Sequence, residues 1–219
     1  MTYALSPNIT FGVASGRPVF LSRGEDRYFL LPDRTEAAFL SLARQEGSNI
    51  DHEALRPIID QGILVRIDEM MRLEPAFIEL PAKSAIENRD RRITVGHLLQ
   101  GSIARRRSQW VLRRRGLNAA IKESTTLGPA LTTSLRSAET ALEYAAIFHN
   151  SGTLTATRDD CLVRSLALTR FSKKRGLDVR LVFGVTLSPF NAHCWVQHHN
   201  VVLNDRLEHA RRFTPVLVV

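Results

Sequence analysis

The first third of the chain alternates short β-leaning runs with turn chemistry. Asn8 to Val13, Pro18 to Ser22 and Arg27 to Leu31 are separated by Ala-Ser-Gly-Arg and Arg-Gly-Glu-Asp, so the pattern predicts a three-stranded meander. After Pro32-Asp33 the apolar positions Ala37, Phe39, Leu40, Leu42 and Ala43 fall on one helical face to Arg44, with Asp33 or Thr35 as the expected cap. A second helix is predicted from Asp51 to about Asp60, burying Leu55, Ile58 and Ile59, containing Pro57 and stopped by Gly62. Ile63 to Ile67 then reads as a strand. Helix formers dominate Val95 to Lys122 and Ser134 to Phe148, with Gly128-Pro129 between them. A further helix runs from Asp159 to about Lys174 and is closed by Gly176. Beyond it lie only strands: Val179 to Leu187, Ala192 to Gln197, Val201 to Asn204 and Thr214 to Val219. Strands with helices, then helices followed by an antiparallel sheet, give an α+β fold class.

Charge divides this chain of 219 residues. Residues 1–80 carry a net charge of −4 and residues 81–219 a net charge of +12. Pro81 to Arg92 is polar and sits where the sign changes, so the expected organisation is a small winged-helix-like module over 1–80, a linker over 81–92 and a second domain over 93–219. Ten basic residues lie between Lys83 and Arg115, including Arg105-Arg106-Arg107 and Arg113-Arg114-Arg115. Without aromatic interleaving or a base-reading motif, such runs read first as a solvated helix face, and a nucleic-acid partner is not expected. No apolar run approaches the roughly 20 residues that span a bilayer, and the opening residues lack the pattern of a signal peptide. A soluble, cytoplasmic protein is the expectation.

Two cysteines, Cys161 and Cys194, are too few for a disulfide framework or a four-thiolate zinc site. Cys161 falls in the first turn of a predicted helix, where unpaired backbone N–H groups and the helix dipole stabilise a thiolate; the competing reading is an inert core cysteine. The stretch Asn191 to Asp205 reads as a hairpin. A three-residue loop of His198-His199-Asn200, with Asn200 in the left-handed region, sets Gln197 opposite Val201, Trp195 opposite Leu203 and His193 opposite Asp205. A carboxylate there would hold the imidazole in one tautomer while its other nitrogen addresses a thiol. Side-chain alternation then sends Cys194 to the opposite face, into the core. Zinc ligation by Cys161, His193, Cys194, His198 and His199 lacks a paired ligand spacing, and no metal is expected. Phosphate-loop, dinucleotide, HExxH and GxSxG motifs are absent from the sequence.

The residues Asp160-Cys161-Leu162-Val163-Arg164-Ser165-Leu166-Ala167-Leu168, then Arg175-Gly176, Leu181 to Val185, Pro189-Phe190-Asn191-Ala192-His193-Cys194-Trp195-Val196, Val202 to Asp205 and Phe213 resemble the lasso-peptide B proteins. The match is specific over about the last 65 residues and diffuse from 82 to 150. The resemblance implies a transglutaminase-like, papain-related cysteine protease domain in which Cys161 is nucleophile, His193 base and Asp205 orienter. Cys194 departs from it, since that family more often has Ala there. The first 80 residues resemble the precursor-recognition module of such proteins through the meander, the Tyr28-Phe29-Leu30-Leu31-Pro32 junction and the helices after it. By that resemblance a leader peptide pairs as an added strand on the meander's edge, at Arg27, Tyr28, Phe29, Leu30 and Leu31, which is β-augmentation.

The implied function is a leader endopeptidase. It would bind the leader of a ribosomally made precursor peptide, remove it, and pass the freed core N-terminus to an ATP-dependent macrolactam cyclase, needing no cofactor of its own. Two alternatives remain: a transglutaminase-type acyl transferase using the same three residues, and a non-catalytic nucleic-acid- or peptide-binding protein in which Cys161 is core.

Overall fold

The computed structural model describes residues 2–45, 50–69, 71–87, 93–126, 134–150 and 160–219. Gly128-Pro129, Arg91-Arg92 and Asp159, singled out from sequence, lie outside these residues. Among the described residues the architecture mixes helices with three sheets, as the α+β pattern predicts.

The meander forms as β2 (Ile9–Ala14), β3 (Arg17–Ser22) and β4 (Arg27–Phe29), paired antiparallel in that order. Ser15 and Gly16 both take positive φ, at 49° and 81°, the two-residue geometry that matches the twist of a tight hairpin. The third strand ends at Phe29, two residues short of the expected Leu31. β1 (Thr2–Leu5), which the sequence pattern did not reveal, pairs antiparallel with β5 (Leu64–Ile67). Helix α1 (Asp33–Ala43) has Pro32 at its cap position and no side-chain cap, instead of Asp33 or Thr35. Helix α2 (His52–Asp60) is capped by Asp51, whose carboxylate accepts from the Ala54 N–H at 3.0 Å, and it tolerates Pro57 within.

The second part contains α3 (Val95–Ser124), kinked at Gly116 where φ is 77°, then α4 (Ser134–Asn150) and α5 (Asp160–Lys173). A five-stranded sheet follows in the order β10-β7-β8-β9-β6: β7 is Arg180–Leu187, β8 Phe190–His198, β9 Val201–Val202 and β10 Thr214–Val218. β6 is Lys83–Ser84, in the stretch expected to be a linker, and it pairs parallel with β9. A short helix, α6 (Leu207–Ala210), was also not anticipated.

Two large apolar cores share the meander. Phe11, Phe20 and Phe29 point into the first, against Phe39, with Phe20 stacked on Phe29 at 5.1 Å. Ala14, Val19, Leu21 and Tyr28 point the other way, into the core built by α3, α4, α5 and β7, β8 and β10. Strand β10 crosses so close that a Cβ on Gly12 would sit 1.9 Å from the carbonyl oxygen of Pro215, and only glycine fits there.

Candidate active site

Helix α5 and strand β8 are bolted together beneath the site. Ser165 donates its hydroxyl to the Cys194 carbonyl at 2.9 Å and accepts from Asn204 Nδ2 at 2.8 Å, while Asn204 Oδ1 accepts from the Val196 N–H at 2.8 Å. All three groups are buried, where such bonds are costly to break. The arrangement sets the first turn of α5, which carries the half-buried Cys161, against the end of β8 that carries His193.

The structure brings Cys161, His193 and Asp205 together. His193 Nε2 donates to Asp205 Oδ2 at 2.7 Å, and a second hydrogen bond joins the imidazole to Cys161. With Nε2 occupied, Nδ1 is the nitrogen left for the sulfur. Burial alone would lower the imidazole pKa. Hydrogen bonds to Asp205 and Cys161, with their charges, outweigh it and raise the value to about 9. Burial would likewise raise the Asp205 carboxyl, but the hydrogen bonds it accepts hold it below the ordinary carboxylate range.

The register of the hairpin differs from the expected one. Gln197 pairs with Val202 and His198 with Val201, so the turn has two residues, His199 and Asn200, and His199 takes the positive φ of 48° instead of Asn200. Asp205 therefore does not face His193 as a ladder partner. It lies past the end of β9, held by Ser84 Oγ donating to its carbonyl at 2.7 Å and by the Arg206 N–H donating to Oδ1 at 2.8 Å. The carboxylate still reaches the imidazole because this side-chain and backbone anchoring substitutes for strand pairing.

A second imidazole was missed. His209, on α6, donates through Nδ1 to the same Asp205 oxygen at 2.7 Å, and its ring meets that of His193 at a centroid distance of 4.7 Å. Its signal was present as an i,i+4 spacing from Asp205, hidden because α6 is only one turn long. An ionised carboxylate offers no proton, so both imidazoles must place N–H groups toward Asp205, which fixes the tautomer of each. Ring nitrogens of the two histidines and a carboxylate oxygen lie within 4.8 Å of one another, a set that could also hold a metal ion. The zinc set weighed from sequence is not assembled: Cys194 and His198 face away from His193, with His198 Nδ1 bound to the Asp178 carbonyl at 2.6 Å.

Aromatic walls enclose His193. Trp195 lies parallel at 6.1 Å and Phe213 at 5.0 Å. They approach so closely because β7 offers Gly184 opposite His193; a Cβ there would meet Trp195 at 2.7 Å and Phe213 at 2.8 Å. Cys194 is 3% exposed, and burial pushes its thiol far above the usual range, with the charge of Cys161 adding to the shift.

The residues expected to hold a leader are distributed over both sides of the meander. Arg27 is exposed, paired with Glu25 at 2.9 Å and lying over the Phe29 ring. Tyr28 points into the second core and meets Phe190 edge-on at 5.9 Å; burial raises its hydroxyl pKa, and the charges of Cys194, Asp26 and Cys161 add to this. Leu30 is exposed beyond the strand, and Leu31 is buried in the first core. Among the described residues, the outer edge of β4 has no strand partner.

A transglutaminase-like superfamily model matches residues 102–218, slightly more than half of the chain and all three of Cys161, His193 and Asp205. The chain belongs to the transglutaminase-like superfamily. A cysteine at a helix start, with a histidine on the following sheet and an aspartate just past the end of one of its strands, is chemically suited to covalent acyl transfer through sulfur. The chain is also similar to the microcin J25-processing protein McjB of Escherichia coli, at 42% identity over 59 residues, 27% of this chain. That match spans about a quarter, 26%, of the relative's length. No solved structure shows significant similarity to this transglutaminase-like chain.

Proposed function

We propose that the protein is a cysteine endopeptidase that removes the leader from a ribosomally synthesised precursor peptide of the lasso type. The observation that carries this reading is the chain of contacts from Asp205 through His193 to Cys161, at the start of a helix. The similarity to a protein named for processing microcin J25 supports a peptide as substrate.

In this reading the Cys161 thiolate, paired with the His193 imidazolium, attacks the scissile carbonyl. The C–N bond breaks as His193 gives its proton to the leaving amine, leaving a thioester on sulfur. Water, deprotonated by His193, then cleaves the thioester and releases the leader as a carboxylic acid. Asp205 keeps the imidazole oriented and stabilises its charged form. In the same reading the Cys161 backbone N–H contributes to holding the oxyanion. The winged-helix-like reading of residues 1–80 belongs to the same proposal: the leader adds a strand to the free edge of β4 beside Arg27, Tyr28 and Phe29, with Leu30 at its end. The freed core passes to a macrolactam cyclase.

Incubating the full chain with precursor peptides encoded beside its gene, followed by mass spectrometry, tests the reading. A leader and a core whose masses sum to that of the precursor plus one water are expected. A crosslinked or amidated product would establish acyl transfer to an amine, and no product with any precursor, together with no alkylation of Cys161 by iodoacetamide at pH 6, would remove the enzyme reading altogether.

A further inference from the structure

Behind Asp205 lies a cleft of about 420 Å³ that the proposed chemistry does not use. Arg164, Arg206 and Arg212 line it, from α5 and from both ends of α6, together with Asp205, His209 and Glu208. None of the three arginine side chains has a carboxylate or carbonyl partner among the described residues, and the Nε of Arg164 is buried without a hydrogen bond. Arg206 and Arg212 are exposed along the cleft, while the buried Nε of the half-buried Arg164 lacks the partner that a buried donor needs. Asp205 is engaged elsewhere, its Oδ2 accepting from two imidazoles and its Oδ1 from the Arg206 N–H, so it makes no ion pair with the three guanidinium groups. Glu208 is exposed at the rim. The cleft therefore carries excess positive charge and planar donor forks, the chemistry that recognises an oxyanion in bidentate fashion.

Its position ties that anion to the substrate. Arg164 follows Cys161 by one helical turn on α5, about 4.5 Å of rise, and the cleft shares Asp205 and His209 with the triad side. An extended peptide advances about 3.3 Å per residue, so a side chain within about four residues of the scissile bond reaches the arginines. We propose that this cleft is a specificity subsite for a carboxylate side chain, Asp or Glu, of the peptide being cleaved. The proposal rests on the peptidase reading for its substrate, while the anion site rests on the arginines alone.

Two measurements on the full chain test it separately. In the first, N-acetylglutamate amide, N-acetylglutamine amide and inorganic phosphate are titrated by calorimetry into the wild-type protein, Arg164→Gln and Arg212→Gln. Binding of the glutamate probe in the millimolar range, absent with the glutamine probe and weakened about tenfold or more in both variants, is expected. No binding of the glutamate probe, binding of phosphate alone, or unchanged binding in both variants would overturn the subsite. In the second, precursor peptides are compared with variants in which each Asp or Glu near the scissile bond becomes Asn or Gln. One such change should lower kcat/KM about 10- to 100-fold, and Arg212→Gln should cause the same loss on the acidic peptide but little on the neutral one. Equal cleavage of acidic and neutral peptides would overturn the proposal. Should no peptide be cleaved at all, the peptidase reading fails, and the calorimetric result still decides whether the cleft takes a carboxylate.

Discussion

The two faces of strand β8 carry the same stretch of sequence into different chemistry. On one face His193, Trp195 and Gln197 meet Phe213, α6 and the Asp205 carboxylate; each of these three side chains is hydrogen-bonded, down to Gln197 Nε2 donating to the carbonyls of Glu79 and His199 at 2.8 and 2.7 Å. On the other, Cys194 and Val196 pack with Leu181, Phe183 and Val185 against α5. Two thiols thus stand near one histidine with opposite characters: Cys161, half-buried and hydrogen-bonded to the imidazole, and Cys194, sealed in apolar surroundings that disfavour its charged form. Environment, and not residue type, separates a reagent from a piece of core.

The largest expected effect breaks the reactive side alone. Cys161→Ala should reduce leader removal below detection while leaving the circular-dichroism spectrum unchanged, because the side chain is not part of the packed core. A variant with substantial turnover would transfer the role to another group.

Next, Asp205→Asn should lower kcat/KM by about 10²- to 10⁴-fold, since the amide cannot stabilise the imidazolium or enforce its tautomer. It should also move the alkaline limb of the pH profile. His193 is raised to about 9, so the imidazolium persists through neutrality and is lost as pH rises through about 9. Its contribution to stability has the same sign, complete below the unfolded value of about 6.5 and lost as pH rises through the folded one. Without the carboxylate the limb should fall to lower pH, and a profile that stays in place would contradict the assignment of His193 to that limb.

Gly184→Val tests the aromatic wall. The added carbons meet Trp195 and Phe213, so stability should fall by about 1–3 kcal/mol in a denaturant titration, with turnover reduced as His193 is displaced. His209→Gln should have a smaller effect, a few-fold in kcat with KM unchanged, and should raise the acid limb of the profile because Asp205 loses a hydrogen bond that favours its ionised form. The smallest change is expected for Cys194→Ala: turnover within about threefold, with about 1 kcal/mol of stability lost from the core.

The contrast extends to the meander, whose two faces serve two cores. Its strands were legible because apolar and polar residues alternate between compact turns, and Ser15-Gly16 supplies the positive φ a two-residue hairpin needs. That Tyr28 and Phe29 would enter different cores follows from the same alternation. That β10 would cover the Gly12 side of the sheet does not, because it depends on a contact between residues some 200 positions apart. The second face of the meander is therefore an integral part of the core built by the later helices and sheet.

What the sequence determined by itself is local and periodic: the meander, the helices after it, α5 opening next to Cys161, and the assignment of His193 and Cys194 to opposite faces of one strand. Each depends on neighbours within a few residues, where propensity and side-chain period are decisive. The tertiary structure decided the rest. The hairpin register shifted by one when the turn shortened to His199-Asn200, yet Asp205 reached His193 because Ser84, from a strand that joins the sheet 121 residues earlier, holds its backbone. His209 joined the site because a single helical turn packed α6 against the same carboxylate, and three arginines, one near the start of α5 and two flanking α6, came to line one cleft. Interactions of this kind leave no period in the chain; they exist only once packing has brought distant groups within hydrogen-bond reach.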